Sequence, residues 1–150
     1  MTAPILLCVD GSDLATEAVE AGLALLGRDG PFELVMAIDL PDPMMVTGTG
    51  FAGGVMSPAD YDRQVAAAIP EAQELLDDVA ANLGLANVTT AVLQGDAGPA
   101  VCERAEAIDA KGIVIGSRGR GGLKRAVLGS VSDYVVRNAT CPVVVTSSAG

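Results

Sequence analysis

Along the chain, short apolar runs alternate with longer stretches whose apolar positions recur every three or four residues. Residues 4–9, 32–40, 87–93, 113–116 and 142–146 are the short runs. They are built mostly from Val, Ile and Leu, are too brief for helices, and stop at Gly, Asp or Pro. That pattern predicts strands, and mostly apolar strands belong to a parallel sheet covered on both faces. The intervening stretches predict helices. The first is capped by Ser12 or Asp13 and presents Leu14, Ala18, Ala21 and Leu25 along one face. The second opens at Ser57-Pro58-Ala59-Asp60 and runs through Val65, Ile69, Ala72, Leu75, Leu76 and Val79 to Leu83, where Gly84 ends it. Its start combines a cap, a proline in the first turn and an acid at the third position. Pro70 falls inside it and is expected to kink or divide it. Helices over 99–108 and 131–138 complete the set, and the chain after Ser147 reads as a frayed tail.

Five strands alternating with helices make an α/β domain with a parallel sheet and right-handed crossovers. The expected architecture is Rossmann-like: a five-stranded sheet in the order 3-2-1-4-5, helices on both faces, one domain over residues 1–150. In that order strands 1 and 4 are neighbours whose connections leave in opposite directions, which is where ligands of such sheets bind. Strand 1 delivers Asp10 to its C-terminal end and strand 4 delivers Gly116.

The residues after strand 4 give that position a chemistry. Glycines stand at 116, 119, 121 and 122, and Arg118, Arg120, Lys124 and Arg125 fall within eight residues, in a chain with only nine Lys and Arg and a net charge of −10. Glycine lets a backbone approach a ligand closely. Gly129-Ser130 then opens the last helix, whose N-terminus favours phosphate. The phosphate-loop pattern that presents a lysine is absent, and the dinucleotide pattern fails because Lys124 follows Gly119-x-Gly121. What remains is Gly-x2-Gly-x9-Gly-Ser at Gly116, Gly119, Gly129 and Ser130. Gly116 and Gly119 would turn the loop so that its amides face phosphates, and Gly129, Ser130 and Val131 would bind them from the helix start. Ser117 is a further expected contact, and at most one cation, Arg118 foremost, would touch ligand. Asp10 has two readings: a turn or cap residue, or an acceptor for ribose or adenine that also helps hold a magnesium ion near the phosphates. At the end of strand 2, Ala37 and Ile38 are placed to meet a base.

This spacing resembles the nucleotide signature of the universal stress protein family. The likeness extends to Ile5-Leu-Leu-Cys-Val-Asp-Gly-Ser12 at the start and to Cys141-Pro-Val-Val-Val145 at the end, so it covers nearly the whole chain. It implies a Rossmann-like fold with ATP or another adenine nucleotide bound between strands 1 and 4, a small or branched apolar residue at the Ala37 position against the base, and a homodimer joined through the fifth strands. The strand over 142–146 is apolar and lies at the sheet edge in the expected order, which also invites pairing with a second copy.

Composition narrows the functions further. The chain has no histidine, which removes Ser-His and Cys-His catalysis and His-ligated zinc. Cys8, Cys102 and Cys141 are odd in number and widely spaced, and read as reduced packing residues. The acidity argues against a broad nucleic-acid surface. No apolar run approaches a membrane span and the N-terminus lacks a leader pattern, so a cytoplasmic protein is expected. Residues 41–56 form a Met- and Gly-rich loop; the literal Gly48-x-Gly50-x-x-Gly53 in it neither follows a strand directly nor opens a helix, and the loop reads as a lid over ligand. Three classes of function compete: a regulator whose nucleotide occupancy is read by a partner protein, a slow ATPase or nucleotide hydrolase, and a scaffold or dimerisation module whose glycine loop is structural. The second lacks an arranged general base, Asp10 being the one candidate.

Overall fold

The structure, a computed structural model, describes residues 2–40, 56–117 and 128–147. Nine elements follow one another as β1 (Ile5–Cys8), α1 (Asp13–Leu26), β2 (Phe32–Ile38), α2 (Pro58–Leu83), β3 (Val88–Gln94), α3 (Ala97–Ala107), β4 (Gly112–Gly116), α4 (Ser130–Asn138) and β5 (Val143–Thr146). All four strand pairings are parallel, and the order is β3-β2-β1-β4-β5. The expected topology is the observed one.

Alternate residues of each strand feed two cores. Leu7, Leu34, Met36 and Val114 face α1 and α2, packing against Ala15, Val19, Leu23, Ala72, Leu76 and Leu83. Leu6, Cys8, Val35, Ile113 and Ile115 face α3 and α4, against Val101, Cys102, Ala105 and Val135. Two consecutive connections on one face and two on the other are what right-handed crossovers require of this strand order. The local signals behave as their chemistry dictates. Ser12 caps α1, its hydroxyl oxygen accepting the Ala15 N–H at 3.2 Å, and Ser57 caps α2 through the Asp60 N–H at 3.1 Å. Gly84 closes α2 in the left-handed conformation, φ 64°.

Two expectations are corrected. Of the two outcomes expected at Pro70, a kink or a division, the division does not occur: α2 runs as one helix through all 26 residues. Pro70 and Ala66, one turn earlier, are both exposed, so the carbonyl deprived of its intrahelical partner faces water. The buried face of α1 is Ala15, Ala18, Val19, Gly22 and Leu23, while Ala21 and Leu25 are exposed. This helix is apolar on most sides, and its smallest residue selects the contact. A methyl group on Gly22 would sit 2.5 Å from Cγ1 of Val114, a fully buried and β-branched neighbour. Gly22→Ala therefore destabilises by about 1–3 kcal/mol despite alanine's better helix propensity. Chemical denaturation checks this, and adding Val114→Ala recovers much of the loss. At Gly98 the equivalent clash is with Cγ and Cδ1 of Tyr134 at 2.8 Å and its Cβ at 3.0 Å, the root of that side chain, so Gly98→Ala should also be destabilising.

Candidate functional site

The C-terminal ends of β1, β2 and β4 and the start of α4 meet on one edge of the sheet. The β1 ladder finishes first. Its register with β2 ends at Cys8 opposite Val35, and the Val9 N–H closes it by donating to the Val35 carbonyl at 3.0 Å. β2 continues to Ile38, still paired with β3. Backbone groups in a strand alternate sides: the Ile38 carbonyl points to β3 and accepts the Gly95 N–H at 2.9 Å. The N–H and C=O of Ala37 consequently face the side on which β1 has ended. Ala37 and Ile38 thus form one wall of a crevice, Ala37 offering a backbone donor and acceptor and Ile38 packing into the core below.

The turn after β1 forms the second wall. Gly11 takes a φ of 87°, a conformation that favours glycine, and reverses the chain toward α1. Oδ1 of Asp10 accepts the Ser12 N–H at 2.9 Å and the Ser12 hydroxyl at 2.5 Å. Of the two readings of Asp10, the turn role is realised: its carboxylate holds the residue that caps α1.

The third wall joins β4 to α4. The Ser117 N–H donates to the Thr146 carbonyl at 2.7 Å, and the Ser117 carbonyl accepts the Gly129 N–H at 2.7 Å. The two halves of the Gly-x2-Gly-x9-Gly-Ser pattern are therefore in direct contact, distant in sequence but one hydrogen bond apart in space. Two details depart from expectation. Gly116 is an ordinary strand residue in register with Thr146, and Gly129 has φ −63°, so neither uses the backbone freedom peculiar to glycine. The Gly129 amide is also already engaged by Ser117. The Asp133 N–H donates to the Gly129 carbonyl at 2.9 Å as the first intrahelical bond, which among the described residues leaves the amides of Ser130, Val131 and Ser132 as the orphan donors of the helix start. Asp133, the one acid in that turn, is bound to Arg137 at 3.0 Å one turn along α4.

The structure thus brings Asp10, Ala37, Ile38, Gly116, Ser117, Gly129, Ser130 and Val131 to one edge. Arg118, Gly119, Arg120, Lys124, Arg125 and all but the last residue of the lid expected over 41–56 lie outside the described residues. Sequence reasoning missed Ser132, a buried hydroxyl in the first turn of α4, and Thr146, whose hydroxyl donates to the Ala18 carbonyl at 2.6 Å. A serine two places after the motif and a threonine at a strand end carry no periodic signal that would have marked them.

What can such an edge hold? Three orphan amides on a helix start, the first oriented by a closed loop base, suit an oxyanion, and a peptide edge beside an apolar side chain suits a planar heteroaromatic ring. Among the described residues no group of three His, Cys, Asp or Glu side chains is arranged to hold a metal ion. A protein-family model described as "Universal stress protein family" matches residues 1–147. The chain belongs to the universal stress protein family. Universal stress protein Rv2624c of Mycobacterium tuberculosis is 32% identical over 145 residues, which cover 96% of this chain and 48% of that protein. Universal stress protein MJ0531 of Methanocaldococcus jannaschii is 31% identical over 147 residues, covering 94% of this chain and 79% of that one. The chain thus spans about half the length of the mycobacterial relative. Among solved structures, hypothetical protein MJ0577 superposes with a TM-score of 0.72 at 20% identity, covering 97% of this chain and 96% of that chain. A universal stress protein family protein from Arabidopsis thaliana with AMP bound gives 0.61 at 17% identity, with 99% and 94% covered. A universal stress protein in complex with cAMP gives 0.58 at 20% identity, with 99% and 100% covered. The fold is that of the universal stress proteins.

Proposed function

We propose that this universal stress protein binds an adenine nucleotide, ATP foremost, in the crevice between β1 and β4, and that occupancy is read by a partner protein. The observation that carries the reading is the Gly129 N–H to Ser117 carbonyl bond at 2.7 Å, which closes the signature at the topological switch point. The AMP and cAMP complexes of two structural neighbours support the ligand class. In this arrangement the Ala37 peptide reads the polar edge of adenine and the Ile38 end of β2 limits the depth of the base pocket. Ser130 and Val131 receive a phosphate on their amides, Val131 through backbone alone since its side chain packs into the second core. Gly116, Ser117 and Gly129 hold the phosphate end of the crevice, and Arg118 and Gly119 complete the residues we assign to the nucleotide. A magnesium ion would travel with the nucleotide's phosphates, the protein adding Asp10 at most; when bound it neutralises phosphate charge.

Nucleotide occupancy would change the surface at the start of α4, and that change is the signal a regulatory partner reads. β5 is the sheet edge and its four residues are all half-buried. We assign it to pairing with a second copy, in the cytoplasm where ATP is plentiful; sedimentation analysis reads the expected doubling of mass. The site itself is tested by titrating purified protein with ATP, AMP and GTP in a calorimeter, with and without magnesium, and by identifying any small molecule released on acid denaturation. Saturable adenine-nucleotide binding near one per chain, with GTP much weaker, is the expected result. Absence of binding to any of the three would return the glycine loop to a structural role, and steady conversion of ATP to ADP would favour the hydrolase.

A further inference from the structure

Resting on that reading, we propose that Ser132 is the positioning residue that fixes the mouth of the phosphate site. Its hydroxyl ties the end of β4 to the first turn of α4, so that the amides of Ser130 and Val131 are held where a phosphate must sit. Ser132 is 2% exposed, one of two buried polar or charged residues among those described. Its Oγ lies 3.2 Å from the Ser117 carbonyl and 3.1 Å from the Gly129 carbonyl. A hydroxyl has one proton to donate, so the two carbonyls share it. The bond to Gly129 is local to the helix turn. The bond to Ser117 spans fifteen residues and crosses from helix to strand.

The surrounding bonds show why this one hydroxyl has leverage. Ser117 is anchored on its other side by its own N–H to the Thr146 carbonyl, and the Thr146 hydroxyl reaches the Ala18 carbonyl in α1. The strand end is therefore fixed to β5 and, through it, to α1. On the α4 side, Gly129 holds Ser117 by a single N–H, about which the helix start can pivot. Ser132 supplies the second attachment, three residues further along the helix, and two points of attachment remove that rotation. Phosphate recognition by amides depends on direction, so a pivot of the helix start weakens it. The base is recognised elsewhere, at the end of β2, and is indifferent to it.

Removing the hydroxyl leaves the fold in place. The Ser117 carbonyl keeps the Gly129 N–H and the Gly129 carbonyl keeps the Asp133 N–H, so Ser132→Ala strands no buried acceptor. The test compares ATP, AMP and adenosine binding by calorimetry in the wild-type protein, in Ser132→Ala and in Ser132→Thr, which retains a hydroxyl. In Ser132→Ala, AMP and ATP should weaken by about three- to tenfold, the scale of one net hydrogen bond, while adenosine binding stays within twofold. Ser132→Thr should recover most of the difference. Amide exchange of the ligand-free protein should also quicken at Ser130 and Val131 in Ser132→Ala and not in β2. If wild type binds AMP better than adenosine and Ser132→Ala leaves that ratio unchanged, or lowers both ligands together, Ser132 is a packing residue and the inference falls alone. If wild type shows no preference for AMP or ATP over adenosine, the nucleotide reading itself fails and takes this inference with it.

Discussion

Arg104→Met should lower the unfolding free energy by about 3 kcal/mol, whereas the pair Glu33→Leu with Arg104→Met should fold about as stably as the parent. Glu33 is the second residue of β2, with its side chain 9% exposed, beneath α3. The Arg104 guanidinium covers it with two parallel bonds, Nε to Oε1 at 2.6 Å and Nη2 to Oε2 at 2.9 Å. The carboxylate holds the Arg104 pKa above its ordinary value through that hydrogen bond. Such a pair contributes little net stability, because desolvating two ions offsets most of their attraction. Deleting one partner is a different matter, since the survivor is left buried with no counter-charge. Arg104 is itself about one-third exposed, so water reaches the vacated place and the loss falls at the low end of the 3–5 kcal/mol usual for a broken buried pair. Urea denaturation of the two single variants and the double variant checks it. Equal losses in Arg104→Met and the double variant would show that α3 packing, and not the stranded charge, is what the substitution removes.

That ion pair also marks a limit of reading this chain from its residues. Glu33 lies inside an apolar run, and nothing within the run names Arg104, seventy-one positions on, as its partner. Strand order, by contrast, was legible because it depends on features each segment displays locally: β-branched runs bounded by Gly and Pro, and helical spacing between them. The crevice was legible for the same reason, since topology alone brings the end of β1 beside the end of β4. The face of α1 was misjudged because large side chains were given weight, while the sheet accepted the helix through Gly22 and Ala18, where close approach to Val114 is the controlling fact. At the site, the motif spacing did not say which backbone groups the fold itself engages. Gly116 and Gly129 serve as strand and cap, the Gly129 amide is spent on Ser117, and Asp10 braces Ser12. Which amides are left over is decided by hydrogen bonds between distant segments, and no spacing rule reports those.

Raising the pH above about 9 should progressively destabilise the protein, with Cys8 a principal cause. Its thiol, 7% exposed at the end of β1, is pushed up to about 12 from an ordinary value of 9.0, first by burial and then by the neighbouring Cys102 and Cys141 thiols. The unfolded chain loses this proton near pH 9 while the folded chain keeps it until about 12. Between those values the folded state binds more protons, so stability falls as pH rises. At about 1.4 kcal/mol per unit, the three-unit window accounts for roughly 4 kcal/mol, fully present below pH 9 and gone by 12. Melts of wild type and Cys8→Ala from pH 7 to 11 test this. The variant starts less stable, having lost a buried sulfur, but its curve should be flatter above pH 9. Parallel curves would assign the alkaline loss to other groups. The same burial keeps the Cys8 thiolate scarce in the native state, so its alkylation should track global unfolding. Because Asp10 follows Cys8 by two residues, on the turn that opens the crevice, nucleotide bound at that edge should slow Cys8 labelling in proportion to occupancy.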